Sequence, residues 1–147
     1  MRAQAARIQF VDQRPTIMNL DDAFDQVKEF HARFGHPVRE APTLLTAERA
    51  AARAAWMNEE VAELLAAQSI PDQADAIIDL IYFAIGTLVE MGVRPERLFD
   101  IVHGANMQKL WPDGSPRFRE DGKTIKPPAW VDPHDAIRDE IERQARK

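Results

Sequence analysis

Apolar side chains recur every three or four residues from Leu20 to Phe34, a spacing that predicts a helix with one buried face. Asn19 is placed to cap this helix, and acidic residues in its first turn suit the positive end of the helix dipole. Gly35 and then Pro37 end it. Residues 1–18 show no such pattern, so we expect an irregular lead-in there.

Three more helices are predicted in succession. A segment rich in Ala, Leu and Glu predicts a helix over about 46–68, since these are strong helix formers. Pro71 suits the first turn of a third helix over about 70–91, and Gly92 ends it. A fourth helix with spaced apolar positions is predicted over about 95–110.

The C-terminal region has a different composition from the predicted helices before it. Residues 112–133 are rich in Pro and Gly-containing turns, and Arg117-Phe118-Arg119 is predicted to be half of a small hairpin. Residues 134–147 predict a charged helix with a thin apolar stripe. We therefore predict a single all-α domain over 1–147, with a four-helix-bundle-like core at about 19–111 and an irregular C-terminal arm at about 112–147.

Composition narrows the class of protein. A chain of 147 residues with 45% hydrophobic and 29% charged residues is typical of one globular domain. The net charge of −5 argues against nucleic acid as a partner, and the absence of cysteine excludes disulfides and thiolate chemistry. No signal peptide or apolar run of about 20 residues is evident, so we expect a cytoplasmic protein without a membrane partner.

Acidic residues are concentrated in the predicted second and third helices. Between Ala54 and Val93 there are seven acidic residues and no Lys or Arg: Glu59, Glu60, Glu63, Asp72, Asp75, Asp79 and Glu90. Glu59 and Glu63 are one helical turn apart, as are Asp75 and Asp79. Two helices joined by a short loop are antiparallel neighbours, so both sets of carboxylates can face one point. Such an oxygen-only set suits a hard divalent ion, Mg²⁺ or Mn²⁺.

The third helix is apolar almost all round, which predicts burial and makes its carboxylates costly unless they are paired, protonated or bound to metal. The same apolar surface predicts a homodimer or a dimer of dimers. Two alternatives stay open. The three glutamates can be a solvated helix face, and the Asp75–Asp79 pair can be compensated by Arg49 or Arg53.

The order of these acids resembles a known motif. Glu59-Glu60-Val61-Ala62-Glu63, followed by Asp79-Leu80-Ile81-Tyr82, is similar to the acidic motif of the all-α nucleoside triphosphate pyrophosphohydrolases. That superfamily includes MazG-like proteins, dimeric dUTPases and phosphoribosyl-ATP pyrophosphohydrolase. Its motif is Glu-Glu-x-x-Glu, a spacer and Glu-x-x-Asp, on helices that bind Mg²⁺. Segment 103–110 resembles the Asn-x-x-Lys element of the MazG-like branch, and the likeness extends over about residues 20–130.

One position departs from the pattern. Ala76 stands where the motif has the Glu before its final Asp, and an alanine cannot bind metal. We expect Asp75 to replace it together with Asp79. The alternative is a shifted register in which Asp72 and Asp75 carry the pair, although Asp72 lies in the first turn, where it can serve the helix end.

The resemblance implies hydrolysis of a nucleoside triphosphate between its α and β phosphates. Glu59, Glu60, Glu63, Asp75 and Asp79 are then the expected metal ligands, and Glu59 is also the residue expected to activate the water. The expected substrate contacts are Asn106, Lys109, Lys123, Lys126 and Arg53. By family likeness alone, dUTP is the first candidate substrate. A phosphoribosyl-ATP pyrophosphohydrolase and a non-catalytic metal-binding dimerisation module are the competing hypotheses.

Overall fold

The computed structural model describes residues 19–147, so the predicted lead-in over 1–18 lies outside the described residues. Five helices follow one another: α1 (Leu20–Phe34), α2 (Ala47–Ala66), α3 (Ile70–Met91), α4 (Glu96–Met107) and α5 (His134–Ala145). The prediction of an all-α fold is confirmed. The predicted ends of the second and fourth helices extended two or three residues too far.

Local signals in the sequence explain where these helices begin and end. The Asn19 side chain accepts a hydrogen bond from the amide of Asp22, whose carboxylate accepts one in return from the Asn19 amide. Thr46 and Ser69 cap α2 and α3 in a similar way. Gly92 ends α3 with φ of 66°, a left-handed conformation that favours glycine.

The first three helices form the core layer. α2 packs along α3, and α1 packs against α3 near its C-terminal half. There Phe24 and Val27 of α1 meet Ile85 and Val89 of α3, all four at most 8% exposed. Burying such a side chain contributes roughly 1.5–3 kcal/mol, so this end of the layer carries most of the apolar stabilisation.

The N-terminal half of α3 corrects one expectation. Burial all round was predicted, but Ala76 is the one buried residue between Ile70 and Ala84, and Asp75 and Asp79 are exposed. The physical reason is that α1 covers only the other half of α3, while α2 covers one side. Large aliphatic side chains of both helices are left in solvent: Val61, Leu65, Ile70, Ile77, Ile78 and Ile81.

The C-terminal arm folds back on the fourth helix. α4 packs against α5, and the indole of Trp130 donates a hydrogen bond of 2.7 Å to the carbonyl of Ala105. Within residues 19–147, extended pairing is limited to one antiparallel bridge between Phe118 and Thr124. The hairpin predicted around residues 117–119 is therefore present as a single bridge.

Candidate active site

The acidic residues of α2 and α3 lie close together along the half of this helix pair that is nearer its short connection. Glu60, on α2, is the buried member at 9% exposed, and its Oε2 atom has no hydrogen-bond partner among the described residues. Glu59, Glu63, Asp75 and Asp79 are exposed around it. A buried polar atom without a partner is energetically costly, so the Oε2 atom of Glu60 would be stabilised by a partner from outside the described residues.

The charges around Glu60 act in one direction. Burial raises the pKa of Glu60, and the carboxylates of Glu63, Asp79, Glu59 and Asp75 raise it further, in that order. Within residues 19–147, none of these five side chains forms an ion pair. The predicted convergence of the glutamates and aspartates is thus present in the geometry, and no cation among the described residues relieves the electrostatic repulsion among them.

The alternative in which arginines compensate the aspartates is wrong, because both arginines lie elsewhere. Arg49 donates two hydrogen bonds to Glu90, of 2.6 and 2.7 Å. Arg53 contacts the same carboxylate at 3.3 Å. Glu90 had been grouped with the acids that face no cation, and the structure corrects this grouping. The signal was present in the chain, since antiparallel α2 and α3 bring the start of one helix beside the end of the other.

Burial and local hydrogen bonding bear on the register of the aspartates. Ala76 is 3% exposed and packs inside the layer, whereas Asp75 and Asp79 lie in solvent beside Glu60. Asp72 accepts a hydrogen bond of 2.6 Å from the Ser69 hydroxyl at the helix start, and it is not one of the four carboxylates acting on Glu60. Asp75 is therefore the aspartate placed to act with Asp79, and its role as a metal ligand stays a prediction.

The fit to a metal ion can be judged from the donors. In the part of the chain that the structure describes, no three acidic or histidine side chains are already arranged to hold a metal. The donor set nevertheless suits Mg²⁺ or Mn²⁺, because all five side chains are carboxylates and these ions prefer oxygen. The unpartnered Oε2 of Glu60 supplies a buried oxygen that a cation would satisfy.

An aromatic pocket of about 210 Å³ lies beside this acidic cluster. Its lining comes from α1, α2, α3 and the loop after α1: Phe30, His31, His36, Arg53, Trp56, Tyr82 and Phe83. The rings of Trp56 and Phe83 are 6.1 Å apart across the two helices. Trp56 precedes Glu60 by one turn and Phe83 follows Asp79 by one turn, so about 6 Å of helix separates pocket and acids.

The residues expected to hold the substrate fall into two groups. Arg53 lines the aromatic pocket but is 4% exposed, and its guanidinium also donates to the Thr87 hydroxyl and the Phe83 carbonyl. Lys109 donates a 2.7 Å hydrogen bond to Asn106, on α4. In the arm, Lys126 lies 3.8 Å above the Trp130 ring, and Lys123 is exposed. None of these five residues contacts the acidic cluster within residues 19–147, and their roles stay predictions.

Comparison with known proteins identifies the class that this fold and site define. The sequence profile of the phosphoribosyl-ATP pyrophosphohydrolase family matches residues 27–106, more than half of the chain. The chain belongs to this family and is thus a pyrophosphohydrolase of the all-α superfamily, as the acidic motif indicated. A search of curated proteins found no significant match.

Solved structures also match the chain. One is a protein from Exiguobacterium sp. 255-15, provisionally named an NTP pyrophosphohydrolase, at 32% identity. The match covers 85% of this chain and 96% of that one, with a TM-score of 0.48.

No single helix in the described range is long and apolar enough to span a membrane. α3 and α4 reach the necessary length and composition only as a pair bent by 119°.

Proposed function

We propose that this protein hydrolyses the α–β phosphoanhydride bond of a nucleoside triphosphate, releasing a nucleoside monophosphate and pyrophosphate. The observation that carries the proposal is the uncompensated set of carboxylates around Glu60 on two antiparallel helices. A site with only carboxylates attracts a divalent cation, and the cation in turn attracts a polyphosphate. Family membership supports the same reaction class.

The chain's own residues divide the work as follows. Glu60, Glu63, Asp75 and Asp79 would hold Mg²⁺ or Mn²⁺, which when bound neutralises phosphate charge and polarises the phosphorus. Glu59 is exposed beside Glu60 and would accept the proton of the attacking water. The attacking oxygen forms a bond to phosphorus as the bridging oxygen departs with pyrophosphate.

The aromatic pocket supports a nucleotide rather than inorganic polyphosphate as the substrate. Its walls are mostly rings, and a base can stack on Trp56 or Tyr82 while the phosphates extend one turn along the helices toward Glu60. Trp56→Ala should then raise KM for a nucleoside triphosphate about tenfold, with little change for inorganic tripolyphosphate. An equal rise in KM for both substrates would show that the aromatic pocket does not bind the base.

Two substrates remain in competition. The dUTP preference rests on the resemblance noted in the sequence, whereas the match to residues 27–106 favours phosphoribosyl-ATP. Both carry the same phosphoanhydride, so one assay separates them. Purified full chain with Mg²⁺ is given dUTP, dCTP, dATP, ATP or phosphoribosyl-ATP, and pyrophosphate and phosphate release are measured separately. We expect the wild-type enzyme to release pyrophosphate, and we expect EDTA or the Glu60→Gln substitution to abolish this release. Release of single phosphates, or turnover that persists in EDTA, would overturn the proposal.

We also propose a second copy of the chain as the partner that covers the exposed aliphatic face of α3. Ile70 is 82% exposed and Ile78 59% exposed, a degree of apolar exposure that a monomer would carry as an aggregation hazard. Ile77 and Ile81 lie roughly 160° around the helix from Asp79, so this contact leaves the acids open to substrate.

Sedimentation tests the assembly. The wild-type chain should have a mass two or four times 16.7 kDa, and Ile78→Glu should dissociate it. Leu44→Glu, at a residue 90% exposed before α2, is the matched control and should leave the assembly intact. A wild-type mass of 16.7 kDa at micromolar concentration would contradict the proposal.

The cytoplasmic location expected from the sequence stays a prediction.

A further inference from the structure

A second pocket, of about 190 Å³, lies at the opposite end of α3 from the acidic cluster. It is lined by α1, α4, α5, the loop before α2 and the loop after α3. Six of its lining side chains are cations: Lys28, Arg39, Arg94, Arg97, Arg143 and Lys147. From Asp79 to Gly92, which also lines this pocket, thirteen residues of α3 span about 20 Å. The basic pocket is therefore separate from the candidate active site.

The three carboxylates in the basic pocket are already engaged. Glu40 pairs with Lys28 at 2.8 Å. Glu140 accepts hydrogen bonds from Arg143 at 2.6 and 2.7 Å. Asp21 accepts one from the amide of Glu96 at 3.2 Å and lies 3.6 Å from Arg94, which also donates a 2.7 Å hydrogen bond to Asp25 outside the pocket lining. Six cations against three carboxylates leave an excess of three positive side chains, in a chain whose net charge is −5.

Arg39 is one of the three cations that these pairs leave over, with Arg97 and Lys147. Its amide donates to the Val89 carbonyl at 3.2 Å, which fixes its backbone beside the C-terminal end of α3. Its guanidinium has no ion pair or hydrogen bond with another described residue. Arg97 is nearly as available, since its contact with Asp100 is 3.6 Å long and both side chains are exposed. Two guanidinium groups with open donors thus face one cavity.

The size and charge of the basic pocket point to a compact anion. Pockets that take drug-sized molecules measure about 300–1,000 Å³, and this one is smaller. Planar guanidinium groups bind phosphate oxygens through paired hydrogen bonds, and such charge-assisted bonds are the strong ones. An anion with several oxygens would also relieve the repulsion among the clustered cations.

We propose that the basic pocket binds a condensed phosphate, of the size of pyrophosphate, through Arg39 and Arg97. The bound group is either free pyrophosphate or the polyphosphate tail of a nucleotide. This inference goes beyond the proposed function and does not depend on it.

Calorimetric titration of the full chain with inorganic pyrophosphate tests the proposal. EDTA is present throughout, because the carboxylates around Glu60 repel phosphates when no metal is bound. Wild-type chain should bind with one site, and Arg39→Gln should weaken binding about tenfold, the effect of one lost hydrogen bond to a charged group. Arg138→Gln is the control, since that exposed arginine of α5 pairs with Asp135 outside the basic pocket.

Further titrations separate the two sources of the group. A nucleoside triphosphate that binds as tightly as pyrophosphate, and that is equally weakened by Arg39→Gln, identifies a nucleotide tail. Binding of pyrophosphate alone identifies the free anion. Unchanged melting temperature of Arg39→Gln shows that the variant is folded. Absence of wild-type binding at millimolar pyrophosphate, or equal weakening by Arg39→Gln and Arg138→Gln, overturns the proposal. Because no turnover is needed, these results are independent of whether the chain hydrolyses nucleotides.

Discussion

Glu60 and Glu90 lie in the same pair of helices, and their surroundings are opposite. Glu90 is 1% exposed in its side chain and is held by Arg49 and Arg53 at the C-terminal end of α3. Glu60 is 9% exposed on α2 near the N-terminal end of α3, and it is surrounded by four further carboxylates. The helices α2 and α3 thus carry a compensated acid at one end and an uncompensated one at the other.

The pKa directions express this contrast. Burial acts to raise the pKa of Glu90, but the Arg49 hydrogen bond and the charges of Arg53 and Arg49 outweigh it, so the net pKa is lowered. At Glu60, burial and neighbouring charge act together, and the pKa is raised. A buried acid that the protein itself compensates contributes to the fold. A buried acid that it leaves uncompensated would be stabilised by a ligand from outside, which is why we propose Glu60 as part of the active site.

Substitutions of the aspartates should give the largest effects. Asp79→Asn and Asp75→Asn each remove one charged oxygen donor beside Glu60, so we expect turnover to fall by about 10³-fold, or about 4 kcal/mol. Mn²⁺ affinity should fall in parallel. Asp72→Asn, which alters a residue at the helix start, should change both by less than about threefold. Steady-state kinetics and Mn²⁺ titration on the three variants provide the measurement.

Other results of this series would change the assignment. Damage by Asp72→Asn as large as that by Asp75→Asn would shift the acidic register toward the start of α3. Unchanged Mn²⁺ affinity in Asp75→Asn would remove Asp75 from the site. Melting temperatures should stay near that of the wild type in all three variants, because none of these aspartates compensates a buried cation.

Removal of the charge at the opposite end should instead affect stability. Glu90→Gln leaves Arg53 buried without its counter-ion, and breaking a buried pair in this way costs about 3–5 kcal/mol. Glu40→Gln is the matched control, because its pair with Lys28 is exposed and should be worth less than about 1 kcal/mol. Urea unfolding measures both free energies. If both variants lost a similar, small free energy of unfolding, the ion pairs of Glu90 would not stabilise the fold as we propose.

Gly86 provides a third test of the compensated end, because helix propensity and packing predict opposite signs. Alanine normally stabilises a helix interior by about 1 kcal/mol relative to glycine. A Cβ at Gly86, however, would lie 2.6 Å from Nη2 of Arg53 and 2.8 Å from Nε2 of His31. Gly86→Ala should therefore destabilise, by about 1–3 kcal/mol. Gly104→Ala in α4 meets nothing within 4 Å and should stabilise. Thermal unfolding of both variants checks the signs, and a stabilised Gly86→Ala would contradict this packing.

Much of the fold was predictable because its signals are local. The caps at Asn19 and Thr46 and the terminating glycines act within a few residues, so the helix limits follow from the sequence. The acidic cluster was predictable too, since i to i+4 spacing and a short connection suffice to bring it together. The pairing of Glu90 with Arg49 was missed because it joins residues 41 apart, and only the antiparallel packing of α2 and α3 reveals it.

The exposure of α3 was missed for a different reason. An apolar helix in a sequence predicts burial without indicating which surface provides it. In the described chain, α1 reaches only the C-terminal half, and the basic pocket likewise forms only when α5 returns to α1. Surfaces built from elements that are distant in sequence depend on tertiary packing, and helical periodicity does not predict them.

The smallest expected effect concerns Glu60 in the metal-free protein, and its sign is opposite to that of Glu90. Because the folded-state pKa of Glu60 is raised, its ionised form destabilises the fold at all pH values above that pKa. The penalty disappears as the pH falls below the ordinary value of 4.5. In EDTA at pH 7, Glu60→Gln should therefore melt at a slightly higher temperature than the wild type, and the two melting temperatures should converge at pH 4.

Glu142→Gln, an exposed substitution on α5, is the control and should show no such dependence on pH. Addition of Mn²⁺ at pH 7 should reverse the order, because only the wild-type carboxylate gains a ligand. A variant that melts lower than the wild type in EDTA at pH 7 would show that Glu60 is compensated within the protein, and the contrast with Glu90 would not hold.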